Sequence, residues 1–240
     1  MDRQLLLLSN STNYGKDWLE HAEKDIKKFL GKDIQEVLFI PYAGVTITFD
    51  EYTERARKKF GELGYGVGSV HETDDPVTAV RNAEAIAVGG GNTFHLVYNL
   101  HKYGLIQPIR DKADAGIPYI GWSAGSNVAC PSLMTTNDMP IIQPESFETL
   151  NLVSFQINPH YLDANPEGHK GETREERIQE FITVNQDITV LGLREGSTLR
   201  VNGKAMRLLG HNPVRVFRHG EQPIEYKPQQ RLDFLLKREG

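Results

Sequence analysis

Apolar residues along the chain follow two rhythms. Short unbroken runs, Leu5–Leu8, Val37–Ile40 and Ala85–Val88, stand between polar or glycine-rich segments, as expected of strands covered on both faces. Between the runs, apolar positions recur at helical spacing. Trp18, Leu19, Ala22, Ile26, Phe29 and Leu30 share one face of a helix that Gly31 closes; Tyr52, Ala56, Phe60 and Leu63 mark a second helix, and Phe94, Val97, Tyr98 and His101 a third. Gly66–Val70 reads as a weaker strand and Tyr119–Trp122 as a fifth. Strand and helix alternating in this way demand right-handed crossovers, which predicts an α/β fold with an open, mainly parallel sheet flanked by helices.

Past residue 123 the rhythm changes. Leu150–Ile157 reads as a strand that delivers Asn158-Pro159-His160-Tyr161, and Thr189–Leu193 as a strand running straight into Arg194-Glu195-Gly196. Thr173-Arg174-Glu175-Glu176 is a capping box opening a helix with Ile178, Phe181 and Ile182 on its apolar face. Leu199–Lys204, with Asn202-Gly203 at its turn, predicts a β-hairpin, and Val214–Phe217 with Ile224–Tyr226 a second; both are expected to extend or cover the sheet. No repeat, low-complexity linker or break in composition divides the 240 residues, so one α/β domain over 1–240 is expected.

Charge and cysteine content narrow the partners. A net charge of -5 leaves no basic footprint for nucleic acid. The single cysteine forbids an intrachain disulfide. Leu5–Leu8, followed at once by Ser9-Asn10-Ser11, is too short for a signal-peptide core or a membrane span. A cytoplasmic monomer or homodimer without membrane contact is the expectation.

The chemistry centres on Gly121-Trp122-Ser123-Ala124-Gly125, a G-x-S-x-G pattern. Its glycines permit a sharp strand-to-helix turn that lifts the serine Oγ clear of the sheet, and the N–H of Ala124 then faces a developing oxyanion. The loop Gly89-Gly90-Gly91-Asn92 follows the neighbouring strand and offers a second donor from Gly90 or Gly91. It lacks both the lysine of a P-loop and the G-x-G-x-x-G spacing, which weakens a phosphate-binding reading. His160, at a strand end beside a stiffening proline, is the candidate general base. Its orienting acid is open at this point: Asp138 fits the serine–acid–histidine order of α/β-hydrolases, Asp163 lies three residues beyond the histidine, and Glu195 sits at a strand end. No histidines share a zinc-helix spacing, so no metal or other cofactor is expected. Arg174 occupies the first turn of its helix, where a cation opposes the dipole; it either pairs with a nearby acid such as Glu172 or Glu175, or binds a substrate carboxylate.

These segments, with Leu5–Thr12, Thr135–Pro140, Gly168–Glu175 and Gly192–Gly196, resemble the peptidase E family of α-aspartyl dipeptidases nearly end to end. The resemblance implies a fold similar to class I glutamine amidotransferases and flavodoxins, with serine in place of the elbow cysteine. It implies Ser123 as nucleophile, His160 as base, Glu195 as the orienting acid and Arg174 as reader of an aspartyl side chain. Asn92 and His169 stand in matching motifs and join as candidate substrate contacts. A small peptide with N-terminal aspartate is the implied substrate. The alternatives are a cyanophycinase-like enzyme acting on β-aspartyl bonds, a glutaminase, for which Cys130 lies in the wrong place, and a nucleotide-binding module without activity.

Overall fold

The structure is a computed structural model that describes residues 2–163 and 171–237. It is a mixed α/β architecture in which helices flank two sheets. The larger sheet has seven strands in the order β3-β2-β4-β5-β1-β8-β9: β1 is Gln4–Leu8, β2 Glu36–Ile40, β3 Gly66–Ser69, β4 Ile86–Val88, β5 Tyr119–Trp122, β8 Thr198–Asn202 and β9 Ala205–Leu209. Pairing from β3 through β1 is parallel, while the β8–β9 hairpin adds antiparallel to β1. The smaller sheet, β11-β10-β7-β6, comprises β6 Gln156–Pro159, β7 Val190–Leu193, β10 Val214–Phe217 and β11 Ile224–Tyr226.

The unbroken apolar runs follow from two-sided burial. Leu5, Leu6, Leu7 and Leu8 are all fully buried; Leu5 and Leu7 face one core and Leu6 and Leu8 the other, as alternating side chains on a pleat must. One face is covered by α1 (Glu23–Leu30) and α2 (Phe49–Leu63) through Ile26, Phe29, Ala56 and Phe60. The other receives α4 (Thr93–Lys102) and α5 (Ile106–Asp114) through Leu96, Val97, Leu100 and Ile109. On the smaller sheet, Ile178 and Ile182 of α7 (Arg174–Val184) pack with Val190 and Phe217. Among the described residues no helix is long and apolar enough to cross a membrane.

Several expectations needed correction. The helix predicted from Trp18 begins only at Glu23, because the Leu19 N–H donates to the Ser11 carbonyl at 2.6 Å and Leu19 turns left-handed at φ 57°. The helices α3 (Pro76–Asn82) and α5 were not foreseen, although Asp75 caps Thr78 N–H with Pro76 in the first turn, a helix-start signal. The predicted strand Leu150–Ile157 is extended only from Gln156. Leu150, Leu152 and Val153 are apolar because they are buried as irregular chain, and arginines replace the missing strand partner: Arg110 donates to the Thr149 and Leu150 carbonyls at 3.0 and 2.9 Å, and Arg3 to that of Leu152. The second hairpin does not extend the main sheet, since Val214–Phe217 pairs with β7.

One buried hydroxyl joins the two sheets. Ser9, just past β1, donates to the Leu193 carbonyl at 2.7 Å and accepts the His160 N–H at 2.9 Å, touching the ends of β7 and β6 together. Ser9→Ala leaves the His160 N–H unsatisfied in the interior, while the Leu193 carbonyl keeps the Tyr161 N–H at 3.1 Å. It is expected to lower unfolding stability by about 1–3 kcal/mol, read as a shift of the urea midpoint at unchanged slope.

Candidate active site

Between β5 and the short helix α6 (Ala124–Asn127), Ser123 adopts φ 53° and ψ -112°, a conformation that costs a residue with a side chain about 1–3 kcal/mol. Packing on both sides enforces it. A Cβ on Gly125 would lie 2.1 Å from the Val88 carbonyl oxygen, and one on Gly121 2.3 Å from that of Gly125, so only glycine lets the turn close onto β4. The Ser123 N–H donates to the Leu8 carbonyl at 3.1 Å, and the Ser126 hydroxyl reaches the carbonyls of Leu8 and Gly121 at 2.6 and 2.8 Å.

The histidine and its carboxylate arrive from the smaller sheet. Because β6 and β7 are parallel neighbours with Pro159 opposite Leu193, the residues beyond each strand emerge side by side. His160 Nε2 lies 2.9 Å from Ser123 Oγ, and its Nδ1 lies 2.7 Å from Glu195 Oε1. His160 is itself left-handed, at φ 54°. Backbone bonds hold the acid in place: Asn212 Nδ2 donates to the Glu195 carbonyl at 2.8 Å, and the Gly196 N–H donates to Asn10 Oδ1 at 2.8 Å.

The glycine loop closes the other side. Gly90 approaches the elbow so tightly that a Cβ there would sit 3.0 Å from Ser123 Cβ. Its carbonyl accepts the Tyr52 hydroxyl at 3.0 Å, and that hydroxyl accepts Trp122 Nε1–H at 2.9 Å. Burial pushes the Tyr52 phenol up to about 12, so it stays a donor. No acceptor for the Gly90 or Gly91 N–H occurs among the described residues. Every peptide bond described is trans, so with the Gly90 carbonyl turned toward Tyr52 the Gly91 N–H points the opposite way. Ser123, His160, Gly90, Gly91 and Asn92 line a cavity of about 530 Å³ with Ser11, Trp18, Val45, Arg55 and Ile141.

The other candidates are placed as follows. Asp138 does not reach the histidine. Its Oδ2 accepts Thr93 N–H and Oγ1–H at 2.7 and 2.6 Å and Thr136 Oγ1–H at 3.0 Å, at the N-terminus of α4 where a carboxylate is favoured. Asp163 forks with Arg194, which holds its carboxyl below the usual range. Asn92 is an α4 cap: Oδ1 accepts the His95 N–H at 3.0 Å and Nδ2 donates to the Met139 carbonyl at 2.9 Å. His169 lies outside the described residues. Arg174 is half-buried, and burial, then the nearby Arg177, lowers its guanidinium while Asp138 opposes the shift. The acids expected to neutralise it are engaged elsewhere, Glu172 with Arg177 and Glu175 with Arg215. Among the described residues Arg174 has no carboxylate partner and donates to Asn137 Oδ1, while Asn137 Nδ2 donates to the Pro159 carbonyl at 2.6 Å. It does not line the cavity beside Ser123. Asp50, His71 and Glu72 bring ligand-type atoms within 4.8 Å of one another, but His71 is bonded to Ser69 and Asp50, and none of the three lines that cavity. Cys130 is buried, its thiol raised by that burial, with Sγ accepting the Ile157 N–H at 3.1 Å.

Ser9 and Asn137 lie within the matching segments 5–12 and 135–140 and Tyr52 on a helix face, but the sequence assigns none of the three a role. Each acts through a contact between residues far apart in the chain, and a lone serine, tyrosine or asparagine carries no spacing signal.

Several known proteins are similar to this chain. A protein from a Nostoc species named Peptidase E is 51% identical over 238 residues, 99% of this chain and 98% of its own. Proteins of the same name from Shigella flexneri and Escherichia coli are 50% and 49% identical over 221 residues, 92% of this chain and 96% of theirs. The crystal structure of a peptidase from an acI-B1 actinobacterium superposes with TM-score 0.70 at 17% identity over 97% of each chain, a likeness of fold. A Listeria monocytogenes structure gives TM-score 0.63 at 25% identity, covering 87% of this chain and 98% of its own. Residues 5–209 match peptidase family S51, and with half of all positions shared along nearly the whole chain, the protein belongs to that family and is a peptidase.

Proposed function

We propose that this peptidase works by serine acyl transfer and removes N-terminal aspartate from dipeptides. The observation that carries the reading is the unbroken hydrogen-bond chain Ser123 Oγ, His160 Nε2, His160 Nδ1, Glu195 Oε1. Glu195 holds the imidazole with Nδ1 protonated, which leaves Nε2 free to accept the serine proton. As Oγ attacks the scissile carbonyl, that proton passes to Nε2, and the carbonyl oxygen takes up negative charge facing the N–H groups of Ala124 and Gly91. Collapse of the tetrahedral species breaks the C–N bond, and the imidazolium gives its proton to the departing amine. Water, deprotonated by the same nitrogen, then releases aspartate from the ester and restores Ser123.

Selectivity for aspartate is assigned to Arg174. A half-buried guanidinium without a described carboxylate partner, held by Asn137, whose Nδ2 is in turn anchored on the Pro159 carbonyl beside His160, is suited to a bidentate grip on a side-chain carboxylate. Since it stands outside the open cavity, the reading requires the aspartyl side chain to reach past His160 toward α7.

Ser123→Ala is expected to abolish turnover of Asp-Leu and labelling by a fluorophosphonate, whereas Glu195→Gln keeps the fold and lowers kcat by about 10²–10⁴-fold. Turnover by Ser123→Ala within tenfold of wild type would remove the nucleophile from its role. In wild type, Asn-Leu and Glu-Leu should be hydrolysed at least tenfold less efficiently than Asp-Leu, and Arg174→Gln should erase most of that gap; equal hydrolysis of all three by wild type refutes the assignment. Tyr52→Phe frees the Gly90 carbonyl and lets its peptide plane rotate. Because a lost oxyanion donor costs about 10²–10³-fold, a fall in kcat toward that range with KM nearly unchanged is expected in steady-state assays.

A further inference from the structure

The cavity beside Ser123 contains a cation that the chemistry so far leaves unused. Arg55, on α2, is the one arginine or lysine among the described residues that line it. Its Cζ lies 5.0 Å from the centre of the Trp18 ring, which in turn meets Trp122 edge-on at 5.5 Å. The guanidinium is thereby seated on an aromatic platform joined to the residue before the nucleophile. Of the acids near it, Glu54 pairs with Arg57, Glu62 with Lys59, and Glu51 accepts the Thr48 N–H and hydroxyl, while Asp17, which lines an adjoining pocket with Arg55, is not bonded to it. Among the described residues no carboxylate pairs with Arg55, in a chain whose acids outnumber its basic residues. Apolar side chains share its wall with polar ones. Ile47 and Trp18 line the same cavity, as do Val45 and Ile141, whose relative exposures are 52% and 53%.

Arg174 belongs to the opposite layer, on the helix that covers the smaller sheet, whereas α2 covers the larger one. The peptide bond is cleaved between these layers. If the acyl side extends toward Arg174, the departing residue lies in the open cavity, with its amine at His160 and its α-carboxylate free to approach α2. We propose that Arg55 binds the terminal carboxylate of the leaving residue and that Val45, Ile47 and Ile141 receive its apolar side chain. This subsite rests on the serine dipeptidase reading above and accounts for action on short substrates: in a longer peptide an uncharged amide occupies the place of the carboxylate, and the guanidinium goes unpaired.

The test compares Asp-Leu, Asp-Leu amide and Asn-Leu on wild type, Arg55→Ala and Arg55→Lys. For wild type, amidation of the leaving residue is expected to lower kcat/KM roughly ten- to hundred-fold, chiefly through KM, since the carboxylate is remote from the bond being broken. Arg55→Ala should lose a similar factor on Asp-Leu and become indifferent to amidation, while its discrimination between Asp-Leu and Asn-Leu stays that of wild type. Arg55→Lys, which keeps the charge, should recover part of the preference for the free carboxylate. Indifference of wild type to amidation overturns the subsite and leaves the dipeptidase reading standing. Loss of the Asp/Asn discrimination in Arg55→Ala also overturns it, and makes Arg55 the aspartyl reader. Failure of wild type to cleave any aspartyl dipeptide while Ser123 still takes the fluorophosphonate removes the substrate reading, and the subsite falls with it.

Discussion

The site depends on the meeting of two sheets at the carboxyl ends of four strands. The serine stands after β5, beside the end of β1; the imidazole and carboxylate stand after β6 and β7. Among the described residues no strand is shared between the sheets, so the seam between them sets the 2.9 Å contact between Ser123 and His160. Ser9 is the closest stitch in that seam, because one buried hydroxyl satisfies a β7 carbonyl and the histidine's own N–H. Asn10 reinforces it from the next position by accepting the Gly196 N–H. Such groups are costly to leave unpaired in an interior, and this gives the seam a single register.

Strain is placed where the chemistry is. Ser123 and His160 both adopt positive φ without being glycine. Each is over-determined by its surroundings, Ser123 by the glycines that clamp the elbow against Val88 and His160 by parallel pairing up to Pro159 and the bond from Ser9. For the proposed serine mechanism the benefit is preorganisation: Ser123 Oγ, His160 Nε2 and the Glu195 carboxylate already stand in line.

A second set of contacts shapes the electrostatics. Trp122, Tyr52 and Gly90 form a relay that runs from the elbow strand to the glycine loop and turns one peptide dipole away from the cavity. On the far side Asp138 is committed to the N-terminus of α4, so its charge stabilises a helix rather than the imidazole. Two arginines, Arg174 and Arg55, stand on helices of different layers without a described carboxylate partner. The chain carries a net charge of -5, and the proposed substrate, with two carboxylates, would offer one to each.

Local pattern alone determined the alternation of buried strands and amphipathic helices, the elbow at Ser123, the glycine loop, and strand ends carrying His160 and Glu195, because burial on two faces and tight turns leave their mark in consecutive residues. It did not separate the two sheets, since a run such as Val214–Phe217 reads the same whichever sheet it joins. Nor did it distinguish a strand from Leu150–Val153, whose carbonyls are met by Arg3 and Arg110 from distant elements. The choice among Asp138, Asp163 and Glu195 as the neighbour of His160 was equally out of reach. Three carboxylates in similar polar loops differ only in which hydrogen-bond donors surround them, and the packing of the chain brings those donors together from up to 45 positions away.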